Sequence, residues 1–293
     1  MYVLSTFSFI SRGKGEGAMT SILFLMDPIE TIQPDKDTTY ALMLEAESRG
    51  FSIFYCNKYG ISRLEDKLHF HVTQLTSSNG QELFHESDLL VLSEDEVDMV
   101  FVRTDPPFDD LYLYHTWMLD LLPKRIKVIN SASGIRTMNE KIWLSQFSDL
   151  VPPTLITCKH SDIVNFINQH HSIVIKPTNG YGGQEVYLID KGSKNFNVIV
   201  ETITQHEKKP VIVQKYIKDA EIGDKRILLL DGDPIGAVLR VHSTIDHRNN
   251  FFAGGTPHKS DLTDHDLMII SVIKPYLNAL GLRFVGIDII GDY

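Results

Sequence analysis

A lysine and three glycines stand close together in the stretch IVIKPTNGYGG, residues 173–183. Lys176 closes an apolar run, and Gly180, Gly182 and Gly183 fall in the loop behind it. Such a loop can hold an anion against its backbone N–H groups, because glycine has no side chain to block the approach. The loop lacks the GK[ST] of a Walker motif and the following helix of a Rossmann fingerprint. A phosphate-binding flap and a plain hairpin turn are therefore both open interpretations.

Lys176 favours the phosphate-binding interpretation. Burying an ammonium group without a partner is costly, and an anionic ligand would supply the missing charge. Lys141, in the segment NEK, is a second candidate cation, although a lysine in such a place is most often a solvated surface charge.

Three arginines indicate a second centre of positive charge. Arg226 follows Asp224 at the entrance of a predicted strand, Arg240 closes the apolar run GAVLR, and Arg248 lies in the polar loop HSTIDHRNN. A guanidinium group can bind phosphate or carboxylate through two hydrogen bonds at once. If the three arginines converge, they form a site for a transferred phosphoryl group or a tetrahedral oxyanion. A surface position is the alternative for an arginine beside a turn.

Asp288 interrupts the apolar strand FVGIDII. A buried carboxylate needs a cation or hydrogen bonds to remain charged. Mg²⁺ would satisfy it, because this ion binds carboxylates together with nucleotide phosphates. Pairing with Arg226 or with another strand-end arginine is the alternative.

Composition and charge exclude several classes of protein. With 293 residues, the chain is long enough for two folded domains. Its composition, 43% hydrophobic and 23% charged, is that of a globular chain and not of a disordered one. A net charge of −10 without a run of Lys and Arg argues against a nucleic-acid surface. Cys56 and Cys158 form no zinc motif. The two cysteines do not indicate a disulfide framework either, and we therefore expect a protein of the reducing cytoplasm. No apolar stretch reaches the roughly 20 residues of a membrane span.

Residues 1–18 are interpreted as a non-native extension. Their charges follow the apolar part instead of preceding it, which is unlike a signal peptide. The segment KGEG resembles a translated purine-rich ribosome-binding site, and this favours Met19 as the true start.

The hydrophobic pattern predicts an α/β domain over residues 19–137. SILFLM is typical of a buried strand, DKDTTYALMLEAESRG of a helix and FSIFYC of a second strand, which together make a parallel βαβ unit. Residues 58–93 predict an antiparallel excursion. VDMVFVR then predicts a buried strand, LYLYHTWMLDLL a helix and KVI a last strand.

Residues 138–293 predict a second domain of two lobes. The first lobe, 138–212, contains the helical segment NEKIWLSQF, the extended TLITC, the helix SDIVNFINQH and two strands around the glycine loop. The second lobe, 213–293, contains most of the strand PVIVQKYI and the hairpin KRILLLDGDPIGAVLRV around Asp231 and Gly232. The long helix DHDLMIISVIKPYLNALG and the strand RFVGIDIIGD complete it.

In order and spacing, these segments resemble the ATP-grasp superfamily and, within it, the bacterial glutathione synthetases. The resemblance covers residues 20–292 and rests on MDPI, RTDPPFD, NEK, FSDLVPPTLIT, IVIKPTNGYGG, VQKYI, GDKRILLLDGDP, RNNFFAGG and GLRFVGIDIIGD. DPPFD and VGIDIIGD are the most distinctive segments. The resemblance implies an α/β (α+β) fold in which an N-terminal parallel α/β domain precedes a two-lobed ATP-grasp domain.

The resemblance also implies roles in nucleotide binding. The glycine loop would cover the ATP phosphates, Asp224 would bind the ribose, and Asp288 would bind Mg²⁺ or Mn²⁺. The residues implied to bind ATP are Lys141, Lys176, Gly180, Gly182, Gly183, Gln214, Lys215, Tyr216, Ile217 and Asp224. Of these, Gln214 to Ile217 would meet the adenine through their backbone.

The implied reaction joins γ-glutamylcysteine to glycine through an acyl phosphate formed with ATP. Arg226, Arg240 and Arg248 would handle the transferred phosphoryl group and the peptide carboxylates. The residues implied to bind the substrates are Asp27, Arg103, Asp105, Asn250, Gly254 and Gly255. The expected partners are small molecules, without nucleic acid or membrane, and relatives of this kind are commonly homo-oligomers. Another ATP-grasp carboxylate–amine ligase and an ATP-binding pseudoenzyme are the alternatives.

The sequence departs from the family pattern at its end. It stops at Tyr293, directly after DIIGD, whereas the family continues with a segment of the type LTEINVTSP that supplies a glutamate and an asparagine to the metal. We therefore expect the chain as written to be poorly active and poorly soluble, and we expect a C-terminal extension to restore turnover. Thr256 also stands where relatives usually carry an arginine, which puts one carboxylate contact in doubt.

Overall fold

The computed structural model describes residues 19–77, 84–241 and 256–293. They form two compact units: the first holds the residues up to Arg136 together with Leu277–Phe284, and the second holds Thr137–Tyr276 together with Val285–Tyr293. The strands are β1 (Ser21–Met26), β2 (Ser52–Asn57), β3 (Ile61–Leu64), β4 (Lys67–Ser77), β5 (Phe84–Glu86), β6 (Leu90–Ser93), β7 (Met99–Arg103), β8 (Lys127–Ile129), β9 (Thr154–Thr157), β10 (Ser172–Pro177), β11 (Tyr187–Asp190), β12 (Val211–Lys215), β13 (Asp224–Leu230), β14 (Asp233–Val241), β15 (Thr256–Lys259) and β16 (Phe284–Ile289). The helices are α1 (Thr38–Ser48), α2 (Asp110–Leu119), α3 (Ala132–Thr137), α4 (His160–His170), α5 (Phe196–Ile203) and α6 (Asp264–Ala279).

The first unit is built on a sheet with the strand order β3-β4-β2-β1-β7-β8. β1 lies in the middle, parallel to β2 and β7, and β7 is parallel to β8. All six residues of β1 are buried, which explains why this strand is a continuous apolar run in the sequence. The predicted βαβ unit is confirmed. The antiparallel excursion is confirmed as well, because β4 pairs antiparallel with β2, β3, β5 and β6.

Helix α1 begins and ends at residues suited to those places. The Asp37 carboxylate accepts hydrogen bonds from the amides of Thr39 (2.6 Å) and Tyr40 (3.3 Å), which satisfies two of the N–H groups that a helix start leaves unpaired. Gly50 follows the last turn with φ +75°, a left-handed conformation that glycine adopts without strain. These signals explain why the helix was predictable from its sequence.

One side chain fixes the segment that leads into β16. The Asn130 amide donates to the Phe284 carbonyl, and its oxygen accepts from the amides of Arg283 and Phe284, each at 2.8 Å. Gly134 of α3 lies against the same segment, because a Cβ atom there would come within 2.1 Å of the Leu280 carbonyl oxygen. The residues that precede β16 are therefore held by α3 and by the side chain that follows β8.

The first sheet of the second unit has the strand order β11-β10-β12-β9, with every neighbouring pair antiparallel. Helices α4 and α5 share its apolar core, to which they contribute Ile163, Ile167 and Val200. The sequence predicts α4 but leaves α5 unassigned. The predicted lobe boundary after residue 212 falls within β12, whose pairing with β9 and β10 keeps the strand in this sheet.

The segment NEKIWLSQF is helical only over Trp143–Gln146, which form a short 3-10 helix. The Asn139 side-chain oxygen accepts hydrogen bonds from the amides of Lys141 (3.1 Å) and Ile142 (2.9 Å), so a side-chain turn replaces the first helical turn. Trp143 packs edge-on against Tyr276 of α6, with ring centres 6.2 Å apart. The expectation of helix throughout this segment is thus corrected to a single short turn.

The second sheet of this unit has the strand order β15-β14-β13-β16. The predicted hairpin is confirmed, since β13 and β14 pair antiparallel around Asp231 (φ +53°) and Gly232 (φ +77°). The predicted long helix is α6, and Gly281 follows it with φ +68°. In the three described ranges of the chain, no helix is both long and apolar enough to span a bilayer.

A buried ion pair joins β13 to the start of α6. The Lys225 ammonium lies 2.6 Å from the Asp266 carboxylate, whose side chain is only 3% exposed. Burial raises the pKa of Asp266, but the hydrogen bonds from Lys225 and Thr263 outweigh this effect, and the pKa is lowered overall. The pair therefore keeps a buried carboxylate charged.

Removing the cation from this pair should destabilise the protein strongly. The Lys225→Met variant leaves Asp266 buried without its partner, and we expect a loss of about 3–5 kcal/mol in the free energy of unfolding. Lys274→Met is the matched control, because Lys274 pairs with Asp233, which is 69% exposed, and such surface pairs contribute about 1 kcal/mol or less. Urea unfolding followed by circular dichroism measures both losses, and equal losses would contradict the account.

Candidate functional site

The glycine loop between β10 and β11 has a backbone that requires its glycines. Gly182 (φ +59°) and Gly183 (φ +74°) are in the left-handed region. A Cβ atom at Gly180 would come within 2.5 Å of the Pro177 ring. Gly182 and Gly183 are therefore required by their backbone conformation, and Gly180 by the lack of space for a side chain. This is expected of a loop whose backbone a ligand can approach closely.

Side chains of the NEK segment hold this loop. The Lys141 ammonium donates to the Gly180 carbonyl and also lies 2.7 Å from the Glu140 carboxylate. The Asn139 amide donates to the Thr178 carbonyl at 3.0 Å. The structure thus brings Lys141 to the glycine loop, and its role in binding ATP stays a prediction. Asn139 is an addition that the sequence analysis did not single out.

Lys176 lies at the base of the loop with a neutral partner. Its ammonium donates to the Gln214 side-chain oxygen at 2.6 Å, and the Gln214 amide donates to the Thr154 hydroxyl at 2.9 Å. Burial lowers the pKa of Lys176 to about 8, with repulsion by Lys141 in the same direction and attraction by Asp288 against it. A neutral amide orients this ammonium without balancing its charge, so the site favours an added anion.

The hinge segment after β12 uses two of its amides within the protein. The Lys215 amide donates to the Pro153 carbonyl and the Tyr216 amide to the Ser172 carbonyl, each at 3.0 Å. An adenine bound by Gln214, Lys215, Tyr216 and Ile217 would therefore have to use other backbone groups of the segment.

Two arginines and two aspartates form a charge network on the second sheet. Asp224 of β13 and Arg240 of β14 are direct partners in the strand register, and the Arg240 guanidinium donates to the Asp224 carboxylate at 2.6 and 2.8 Å. Arg240 also lies 2.9 Å from Asp288 of β16. Arg226 of β13 donates to both oxygens of Asp288, through Nε and through a terminal nitrogen at 2.9 Å. The pairing that was the alternative for Asp288 is thus present in the structure.

Burial is uneven across this network. Arg240 is only 5% exposed. Burial raises the pKa of Asp224, and the hydrogen bond from Arg240 opposes this rise. By contrast, the Arg226 and Asp288 side chains are 36% and 41% exposed. Asp224 and Arg240 therefore form the more buried part of the network, and Arg226 and Asp288 form the more exposed part.

The network offers carboxylate oxygens of the kind that a divalent cation binds. Within the described ranges, no three His, Cys, Asp or Glu side chains gather into a metal-binding group. Mg²⁺, however, usually binds only one or two protein carboxylates and takes its other ligands from water and substrate phosphates. Asp288, whose side chain is 41% exposed, fits this requirement for a cation that binds together with a nucleotide.

Four predicted site residues lie outside the described residues. They are Arg248, Asn250, Gly254 and Gly255.

The predicted substrate residues of the first unit lie together at the carboxyl ends of β1 and β7. Asp27 follows β1 and accepts a hydrogen bond from the Asp105 amide at 2.6 Å. Arg103 ends β7, and its Nε donates to the Thr39 hydroxyl at 2.9 Å. Burial and the nearby charge of Asp27 raise the pKa of Asp105, against the effect of Arg103. Neighbouring parallel strands of an α/β sheet commonly bind ligands at this edge.

Three contacts of the predicted site residues were not evident from the local sequence pattern. Gln214 was expected to act through its backbone, yet its side chain holds Lys176. The available signal was the antiparallel pairing of β10 with β12, which places Lys176 opposite Ile212 and so on the same face as Gln214. The sequence around Thr39 and Gly286 did not indicate their contacts with Arg103 and Arg226, because these contacts join distant parts of the chain.

Comparison with known families accounts for both units. The prokaryotic glutathione synthetase N-terminal domain matches residues 20–136, and the prokaryotic glutathione synthetase ATP-grasp domain matches residues 140–293. The glutathione synthetase of Synechocystis sp. is 38% identical over 290 residues, which covers 93% of this chain and 88% of the relative. The glutathione synthetase of Gloeobacter violaceus is 39% identical over 279 residues, covering 93% and 86%.

Solved structures show the same fold at low identity. D-cycloserine synthetase DcsG superimposes with a TM-score of 0.61 at 14% identity, over 91% of this chain and 86% of that one. The ATP-grasp ligase PsnB with a minimal precursor gives a TM-score of 0.59 at 16% identity, over 94% and 86%. These likenesses confirm the predicted fold class.

The lowered pKa of Lys176 predicts a pH dependence of stability. Between about pH 8 and the usual lysine value near 10.4, the unfolded chain holds a proton on Lys176 that the folded protein has released, so the free energy of unfolding should rise with pH. The rise should approach at most about 1.4 kcal/mol per pH unit for this one group. Comparing urea unfolding of the wild type and Lys176→Met across this range isolates it. Equal slopes in the two proteins would contradict the assignment.

Proposed function

The chain belongs to the prokaryotic glutathione synthetase family, and we propose that it is an ATP-dependent ligase that joins γ-glutamylcysteine to glycine to form glutathione. The observation that carries the proposal is Lys176, a cation held by a neutral amide beside a glycine loop. A triphosphate under the loop would supply the negative charge that Lys176 lacks. The family supplies the identity of the two substrates that are joined.

The reaction must first activate a carboxylate. The γ-phosphoryl group of ATP passes to an oxygen of the cysteinyl carboxylate, which gives an acyl phosphate and ADP. The amine of glycine then attacks the acyl carbon, the C–O bond to phosphate breaks, and the amine loses a proton as the amide forms. Because the protein forms no covalent bond in these steps, its work is to position the reactants and to balance charge.

The residues of the second unit have separate tasks in this scheme. Lys141 and Lys176 orient the phosphates under the loop formed by Gly180, Gly182 and Gly183. Arg226 and Arg240, together with Arg248, balance the negative charge of the transferred phosphoryl group. Asp224 accepts from the ribose. A divalent cation, which we propose to be Mg²⁺ with Mn²⁺ as a substitute, would be held by Asp288 and would neutralise phosphate charge when bound.

The residues of the first unit suit the peptide. Asp27 and Asp105 can accept hydrogen bonds from an ammonium group, and Arg103 can bind a carboxylate through two hydrogen bonds. Asn250, Gly254 and Gly255 complete the proposed substrate-binding set. We also propose that the protein acts in the cytoplasm as a homo-oligomer.

A direct assay tests the proposed function. Purified protein with ATP, Mg²⁺, γ-glutamylcysteine and glycine should produce glutathione, ADP and phosphate in equal amounts, measured by chromatography and phosphate release. The control reactions leave out one substrate at a time. Formation of a peptide bond only with a different acid or amine would indicate another ATP-grasp ligase, and ATP binding without product would indicate a pseudoenzyme.

Two substitutions should separate the ATP side from the peptide side. Lys176→Met should raise the KM for ATP about tenfold or more, because hydrogen bonds to charged groups contribute about 1.5–3 kcal/mol, and it should leave the KM for γ-glutamylcysteine unchanged. Arg103→Lys should do the reverse, since lysine cannot form the paired hydrogen bonds of a guanidinium group. Steady-state kinetics with each substrate varied in turn measures both, and a shift of the same KM by both variants would refute the division of roles.

A further inference from the structure

Gly286 of β16 lies against the side chain of Arg226. A Cβ atom at Gly286 would come within 2.5 Å of a terminal nitrogen of Arg226, 3.1 Å of its Cδ and 3.3 Å of its Cζ. Gly286 and Asp288 are two residues apart in the same strand, so both face the same side of the sheet. The Arg226 side chain therefore crosses the space that a larger residue at position 286 would fill, and it reaches Asp288 from there.

The charges of the network already balance without a ligand. Arg226 and Arg240 oppose Asp224 and Asp288, and Asp288 accepts hydrogen bonds from both arginines. A divalent cation on Asp288 would add two positive charges beside two guanidinium groups. Departure of one arginine from the carboxylate would relieve this repulsion.

Only one of the two arginines is free to leave. Arg240 is 5% exposed and holds Asp224 through two hydrogen bonds, so moving it would leave a partly buried carboxylate without its cation. Arg226 is 36% exposed, and its contact with Asp288 is open to water. An exposed pair of this kind is weak enough for a bound ion to replace it.

We propose that Gly286 is a positioning residue that lets Arg226 act as an exchangeable counter-ion of Asp288. A divalent cation that binds Asp288 displaces the Arg226 guanidinium, which then becomes available to an anionic group of the substrates. Arg226 and the cation thus compete for one carboxylate. The inference rests on the proposed function for the identity of the cation and the anion, and it assigns to the glycine a part in their exchange.

The Gly286→Ala variant is a mild way to test this. The atoms that its methyl group would meet belong to the outer part of a flexible side chain, so Arg226 can swing away while the backbone of β16 stays in place. Gly236→Ala on β14 is the matched control, because a Cβ atom there meets nothing within 4 Å. Circular dichroism and thermal unfolding should first show that both variants fold. Arg226→Gln removes the counter-ion without any change in β16.

Crystal structures without ligand test the positioning. The wild type and Gly236→Ala should show both hydrogen bonds from Arg226 to Asp288, and Gly286→Ala should show neither. An Arg226 that keeps both bonds in Gly286→Ala would overturn the proposal. This comparison needs no nucleotide, so its outcome does not depend on the proposed function.

Binding of Mg²⁺ with the nonhydrolysable analogue AMP-PNP tests the competition. Calorimetry gives the Mg²⁺ concentration at half-saturation with AMP-PNP held in excess, and this midpoint should fall about threefold to tenfold in Gly286→Ala, as expected for loss of a competitor worth about 1 kcal/mol. Gly286→Ala should have no further effect in the Arg226→Gln background, and Gly236→Ala should match the wild type. Unchanged midpoints would overturn the competition.

A wild type that binds no AMP-PNP would instead refute the proposed function, and the ligand-free structures would still decide the role of Gly286.

Discussion

The ion pairs of Arg240 with Asp224 and Asp288 are the interaction on which the second unit depends. The Arg240 guanidinium group is almost fully buried and contacts both Asp224 of β13 and Asp288 of β16, so one cation joins β14 to the next two strands of the sheet. A buried charge is tolerated only when its partners are in place. The pairing of Asp224 with Arg240 in the strand register, and the position of β16 beside β13, therefore satisfy the same electrostatic requirement.

The two charged clusters of this unit, one around Lys176 and one around Asp288, suit ligands of opposite charge. Around Lys176, a cation is oriented by the neutral Gln214 side chain and repelled by Lys141, so this cluster is completed by an anion. Around Asp288, the charges balance, and in our proposal a metal ion enters in exchange for Arg226. A nucleotide triphosphate that carries a divalent cation meets both needs at once, because its phosphates bring the negative charge and its metal brings the positive charge. Neither cluster alone would select such a ligand.

Much of the fold was predictable because local physics determined it. β1 is buried throughout and is therefore a continuous apolar run, and α1 starts at the capping carboxylate of Asp37. Helix α5 escaped prediction because it has only eight residues and its N-cap, Asn195, makes no side-chain capping bond. β15 escaped because all four of its residues are exposed, which leaves no apolar alternation to recognise.

The candidate site was predictable by residue type but not by partner. Lys176, Arg226, Arg240 and Asp288 stand out as charges in or beside apolar strands, and this pattern is visible in the sequence. Which arginine meets which aspartate depends on strand order and register, which no local pattern encodes. The same limit hid the contact between Gly286 and Arg226. The roles implied for these residues rested on the family resemblance, whereas their pairing required three-dimensional coordinates.

The most direct measurement is a crystal structure of the protein with Mn²⁺ and AMP-PNP, in which anomalous scattering locates the metal. The account predicts a manganese peak bound to Asp288, phosphate oxygens within hydrogen-bond distance of Lys176, and an Arg226 that has left Asp288 while Arg240 has stayed. Manganese bound elsewhere, with Arg226 still on Asp288 and Lys176 still on Gln214 alone, would contradict it.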